Sequence, residues 1–211
     1  MGRTRAALSG LACAFVAFAT PAAAFNEIDP LTRQPLYSYD SGEEFRAQAS
    51  PVPREIVAFD KRFAPGTIVV STTERRLYLV LGNGQAMQYG VGVGRPGFEW
   101  AGSKTITMKR EWPDWRPPSE MLRRRPDLPR YMSGGPDNPL GARAMYLGGS
   151  LYRIHGSNEP ETIGQAVSSG CIRMTNEDVI DLFERVKPGA IVVVLPPGRS
   201  AWIRPITGRP G

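Results

Sequence analysis

Leu77-Tyr-Leu-Val-Leu81 is an unbroken apolar run between two turn signals, residues 71–74 and Gly82-Asn83-Gly84. Side chains alternate between the faces of a strand, so a strand made from this run has no polar face to offer water and must be covered on both sides. Its neighbours fit the same plan. Residues 67–70 are β-branched, and residues 85–93 set Met87, Tyr89, Val91 and Val93 against Gln88, Gly90 and Gly92. With the intervening turns this reads as consecutive hairpins. Further strands are predicted at 105–109, 144–147, 152–155 and 190–195. A strand buried on both faces needs a second layer, so the fold expected is mainly β with one or two helices, a β-sandwich or flattened barrel.

One helix is clearly signalled. Val179, Leu182, Phe183 and Val186 recur at helical spacing, with Glu177 and Asp178 in the first turn and Arg185 and Lys187 in the last. Thr175 can cap its start and Pro188-Gly189 stops it. Its apolar stripe is core packing that braces the segment before it. Gly92-Val-Gly94-Arg-Pro-Gly97 has the letters of a dinucleotide loop, but no helix follows, so these glycines are read as bends or close backbone approaches.

The chemistry-bearing residues are few. The chain has one histidine, His155, and two cysteines, Cys13 and Cys171. Cys13 falls in a segment expected to be removed, which leaves one imidazole and one thiol sixteen positions apart. A zinc site needs about three or four ligands, and a disulfide needs a second thiol. No metal or other cofactor is therefore expected. What remains is nucleophilic catalysis, with Cys171 as nucleophile and His155 as the base that forms its thiolate. Gly170 lets a carbonyl approach and offers backbone N–H groups for an oxyanion. Ser168 and Ser169 can orient the imidazole. Arg173 falls on the Cys171 side of an extended segment, where it can hold a carboxylate or favour the thiolate.

The motif resembles the active-site signature of the L,D-transpeptidases, also called the YkuD domain. The match runs through His155, Gly156, Ser168, Gly170, Cys171, Ile172, Arg173, Met174 and Asn176. Many members carry a second histidine where this chain has Ser169, and the resemblance implies that this position contributes its backbone carbonyl to the catalytic histidine. More loosely, the resemblance extends over residues 57–196, including Asn138-Pro-Leu-Gly141 and Met145-Tyr146-Leu147. It implies backbone support from Gly170, Ser169 and Gly156. Candidate substrate contacts are Arg173, Ser168, Asn176, Tyr131, Tyr146 and Trp115. The substrate class implied is the peptidoglycan stem peptide. A tetrapeptide stem would acylate Cys171 with loss of D-alanine, and a second stem, an envelope protein or water would take the acyl group.

The N-terminus predicts the compartment. Arg3 and Arg5 precede an uncharged apolar stretch at 6–19 and the small residues Ala22-Ala23-Ala24, the pattern of a secretory signal peptide over residues 1–24. Its apolar stretch is short against the ~20 residues of a membrane span. The product is then periplasmic or otherwise extracytoplasmic. Residues 25–56 read as a polar, Pro-interrupted arm, 57–196 as the catalytic domain and 197–211 as a tail. Loss of Arg3 and Arg5 lowers the formal net charge of +6 by two. The arginines are scattered through loops without a nucleic-acid-binding motif, so the charge suits an anionic wall polymer and no nucleic-acid partner is expected. Residues 111–141 hold seven prolines and five arginines. So long a loop is expected to be a lid or substrate flap, anchored by Trp112, Trp115 and Tyr131, with a short helix near Ser119.

Overall fold

The computed structural model describes residues 50–198; the expected signal segment, the arm as far as residue 49 and the tail from residue 199 lie outside the described residues. In chain order the strands are β1 (Glu55–Ala58), β2 (Ile68–Ser71), β3 (Arg76–Gly82), β4 (Gln85–Gly90), β5 (Val93–Gly94) and β6 (Gly102–Glu111). After α1 (Ser119–Arg124) come β7 (Arg143–Leu147), β8 (Arg153–His155), β9 (Ala166–Ser168) and β10 (Ile172–Arg173). Helix α2 (Asn176–Arg185) and β11 (Ile191–Leu195) complete the domain. Among the described residues the fold is mostly strand with two α-helices, within the expected mainly β fold with one or two helices.

The nine-stranded mixed sheet runs β1-β4-β3-β2-β11-β6-β7-β8-β10, and β5 pairs with β9 separately. Strand β6 supplies the second layer. Its first half pairs with β11, its second half with β7, and the β6–β7 register is irregular between Ile106 and Met108. The open sheet folds over at this strand. Ile68, Leu77, Leu79 and Tyr89 from one half thereby enter the same core as Met145, Leu147, Ile154 and Ile172 from the other. The apolar run of β3 buries Leu77 and Leu79 in this core and Tyr78 and Val80 in a second cluster with Phe59, Val69 and Leu195. Both faces of β3 are covered, as its composition requires. Strand β1, at the sheet edge on β4, takes in Glu55 and Ile56 at the end of the stretch read as an arm.

Helix α2 packs on β7 and β8. The Thr175 hydroxyl accepts from the Asp178 N–H at 3.2 Å, the cap that its position predicts. Val179, Leu182 and Val186 are buried beneath it, each worth about 1.5–3 kcal/mol of apolar burial. At its far end Lys109 Nζ donates to the carbonyls of Phe183 and Val186, groups that the helix itself leaves unbonded. The helix thus anchors β8 from behind. Residues 111–141 are tied down by Asn138, which is 1% exposed. Its amide donates to the Pro113 and Ser133 carbonyls at 3.1 and 2.8 Å, and its oxygen accepts from the Leu140 N–H at 2.9 Å.

Candidate active site

Parallel pairing of β8 with β10 sets Ile172 opposite Ile154 and Arg173 opposite His155. Both isoleucines are buried in the core. Because strand side chains alternate, the residues flanking them point the other way. Carrying the register back by one residue sets Cys171 opposite Arg153. Arg153 and His155 on one strand and Cys171 and Arg173 on the other therefore form a square on the face away from the core. The histidine and cysteine occupy one diagonal and the arginines the other. A Gly92–Arg173 bridge, with N–H···O distances of 2.9 and 2.8 Å, secures the outer edge of β10.

His155 is buried, and its Nδ1 lies 2.6 Å from the Gly156 carbonyl oxygen. A carbonyl can only accept, so in the neutral ring the proton sits on Nδ1 and Nε2 is left as the basic nitrogen. Burial, followed by the Arg173 charge, drives the imidazole pKa down to about 3. The ring is neutral at physiological pH. Burial raises the Cys171 thiol, while the Arg153 N–H, the Arg153 charge and the Arg173 charge pull it down. The free site thus holds a neutral thiol and a neutral base. Both groups line the same cavity.

The backbone around the thiol is fixed from several sides. Gly170 has φ +105°, and a Cβ there would lie 2.5 Å from the Tyr152 ring. Trp100 stacks on that ring at 4.8 Å and donates from Nε1 to the Gly170 carbonyl at 2.8 Å. The Ser168 hydroxyl donates to the Cys171 carbonyl at 2.6 Å and accepts from the Gly170 N–H at 3.1 Å. The Gly170 N–H, one of the main-chain groups expected to serve an oxyanion, is bonded to this side-chain oxygen. The carbonyl that holds the imidazole belongs to Gly156, whereas Ser169 receives Arg95 Nη1 on its hydroxyl at 3.3 Å.

His155, Cys171, Arg153 and Arg173 open onto a cavity of about 770 Å³, a size suited to a peptide-length ligand. Ser168 and Ser169 line the same wall. The opposite wall comes from the long loop, through Trp115, Met121, Arg124, Arg125, Leu128 and Leu140. Arg124 lies over the Phe98 ring at 4.9 Å, across from Arg95 at 4.1 Å, which joins α1 to the body of the domain. Arg173 reaches the cavity with its charge already paired to Glu159 at 2.8 Å.

Three expected substrate contacts are placed elsewhere. Asn176 is buried, accepts from the Ala142 N–H at 2.8 Å and donates to the Ser157 carbonyl at 3.1 Å. A Cβ on Gly156 would come within 2.2 Å of its amide oxygen, so Asn176 is a stitch that holds the segment after His155. Tyr131 lies under Arg116 and Tyr146 under Arg153, and neither forms part of the cavity wall. Sequence reasoning missed Arg153, Trp100 and Tyr152. Arg153 could have been found from the alternation of Arg153-Ile-His155, which sets it beside the histidine on one face.

Residues 65–194 match the family model described as YkuD, L,D-transpeptidase catalytic domain. Probable L,D-transpeptidase ErfK/SrfK of Escherichia coli (strain K12) is 38% identical over 137 residues, which make up 61% of this chain and 43% of that protein. Probable L,D-transpeptidase YbiS of the same strain is 37% identical over 134 residues, 59% of this chain and 43% of that one. The match thus spans less than half the length of either relative. The solved L,D-transpeptidase from Mycobacterium smegmatis aligns with a TM-score of 0.50 and 16% identity, over 62% of this chain and 58% of that chain. This last likeness is one of fold.

Proposed function

We propose, from the premise that the chain belongs to the L,D-transpeptidase (YkuD) catalytic-domain family, that it is an extracytoplasmic cysteine transpeptidase of peptidoglycan stem peptides. The supporting observation is that His155, at the end of β8, and Cys171, just before β10, line one cavity together with Arg124, Arg125, Arg153 and Arg173. The thiol proton moves to His155 Nε2 as sulfur attacks the carbonyl of the third residue of a tetrapeptide stem. The C–N bond to the terminal D-alanine breaks, and the departing nitrogen takes the proton from the imidazole. The side-chain amine of a second stem then attacks the thioester, its proton passes through His155 Nε2 to the departing sulfur as the C–S bond breaks, and the neutral thiol is restored. The product is a 3,3 cross-link.

Cavity size and charge favour this substrate. A stem is an extended peptide with free carboxylates, which guanidinium groups bind well. The segment at residues 1–24 supports an extracytoplasmic location, where peptidoglycan lies. The test is incubation of the purified protein with disaccharide-tetrapeptide, followed by mass spectrometry. D-alanine loss, a thioester on Cys171 and cross-linked dimers are expected. Tripeptide without dimers would make the chain a carboxypeptidase, and transfer only to an envelope-protein amine would make it a protein-to-wall ligase. Absence of any adduct on folded protein would leave a binding module.

A further inference from the structure

We propose that Arg153 is a further catalytic residue of this site: its backbone N–H and guanidinium take up the negative charge that Cys171 Sγ acquires when the thiol gives up its proton. This deepens the reading of Cys171 as the nucleophile and rests on it. Extended back by one residue from Ile172–Ile154, the β8–β10 register sets Arg153 across from Cys171. Adjacent strands stand only about 4.7–4.9 Å apart. The Cys171 sulfur lies 3.9 Å from the carbonyl oxygen of Leu151, two residues before Arg153, so it rests on the start of this strand.

The two arginines of the square are not equivalent. Arg173, beside His155, already has a carboxylate partner in Glu159 at 2.8 Å. Among the described residues no carboxylate is paired with Arg153, and its Nε is buried without a hydrogen-bond partner. A buried donor left unsatisfied is costly, so a group in this condition is suited to an anion that appears only in the working state. Two contacts hold the side chain in place: Nη1 donates to the Leu151 carbonyl at 3.2 Å, and the guanidinium lies over the Tyr146 ring at 4.9 Å.

The anion could be a substrate carboxylate or the thiolate. The backbone favours the thiolate. The register sets the Arg153 main chain across from Cys171, and its N–H and charge both pull the thiol down; a main-chain donor inside a strand cannot turn outward to follow a ligand. In the step itself the S–H bond breaks, the proton goes to His155 Nε2 and the electron pair stays on sulfur until the S–C bond forms. Arg153 lowers the energy of that charge while remaining protonated.

Alkylation of Cys171 by iodoacetamide tests this without any stem peptide, so it stands or falls apart from the transpeptidation assay. Rates are measured from about pH 6 to about pH 10 and read at the Cys171 peptide by mass spectrometry, which excludes Cys13. Arg153→Met is expected to slow alkylation roughly tenfold near neutral pH and to move the profile upward by about one unit. Arg153→Lys, which keeps the charge, should recover most of the rate. If Arg153→Met unfolds, Arg153→Gln provides the neutral comparison in its place. A folded neutral variant with the wild-type profile overturns the proposal. So does that profile accompanied by a raised KM for stem peptide, which would make Arg153 a carboxylate receptor.

Discussion

Trp100 Nε1 donates to the carbonyl oxygen of Gly170 at 2.8 Å and so holds the residue next to the thiol from a loop seventy positions away in the chain. The same indole stacks on Tyr152, whose ring covers Gly170. Trp100→Phe keeps an aromatic ring and removes the donor. Loss of one neutral hydrogen bond costs about 0.5–1.5 kcal/mol. We expect a small fall in Tm and roughly tenfold slower acylation of Cys171 by tetrapeptide, followed by intact-mass spectrometry. A wild-type acylation rate would show that this bond does not position the loop.

Gly170 and Gly97 separate strain from crowding. Both have positive φ, +105° and +83°, but a Cβ meets the Tyr152 ring at the first and open space at the second. Gly97→Ala should cost about 1 kcal/mol for backbone conformation alone. Gly170→Ala should cost at least ~2 kcal/mol, because overpacking adds to the strain. Urea titrations of the two variants give the difference. Equal costs would mean that Tyr152 moves aside freely.

Stability should depend on His155 in mildly acidic solution. The imidazole pKa is depressed to about 3 in the fold from an ordinary 6.5, so between these values the unfolded chain binds more protons than the native one. Stability from this group is complete above about pH 6.5 and is lost as pH falls toward 3. Between pH 6.5 and pH 5 the loss should be about 1.6 kcal/mol, because the slope reaches its full 1.36 kcal/mol per unit only below the unfolded pKa. Denaturant titrations at several pH values should show this slope in the wild type and a flatter one in His155→Gln. Identical slopes would place a different group behind the acid sensitivity.

Asn176 separates a structural from a substrate-binding role. Asn176→Ala removes the partners of the Ala142 N–H and the Ser157 carbonyl, both linked to it in the interior. Leaving them unpaired should cost about 2–3 kcal/mol. Thermal unfolding is expected to show that loss. In the folded fraction, KM for stem peptide should be unchanged; a raised KM would return Asn176 to the substrate wall.

The strands at 67–70, 77–81, 105–109 and 190–195 were legible because alternation and turn residues act over a few positions. Helix α2 was legible with its Thr175 cap for the same reason. The pivot at β6 was not. One strand pairs with β11 and then with β7, and nothing local to residues 102–111 names either partner. Asn176 carries the same letter whether it faces a ligand or the Ala142 backbone. The Gly170 N–H was expected to be available because the bond that occupies it comes from the Ser168 side chain, a matter of loop conformation.

Taken alone, the amino-acid order determined which segments extend, which one coils, and that the stretch from His155 to Arg173 carries the single imidazole and a thiol, since these follow from short-range sterics and side-chain chemistry. Tertiary structure decided how those groups meet. The parallel register of β8 on β10 puts Cys171 beside Arg153 and His155 beside Arg173, and a slip by one residue would turn one set of side chains to the other face. That register is held by burial of Ile154 and Ile172 in a core drawn from the whole domain, an energy no local stretch of sequence contains.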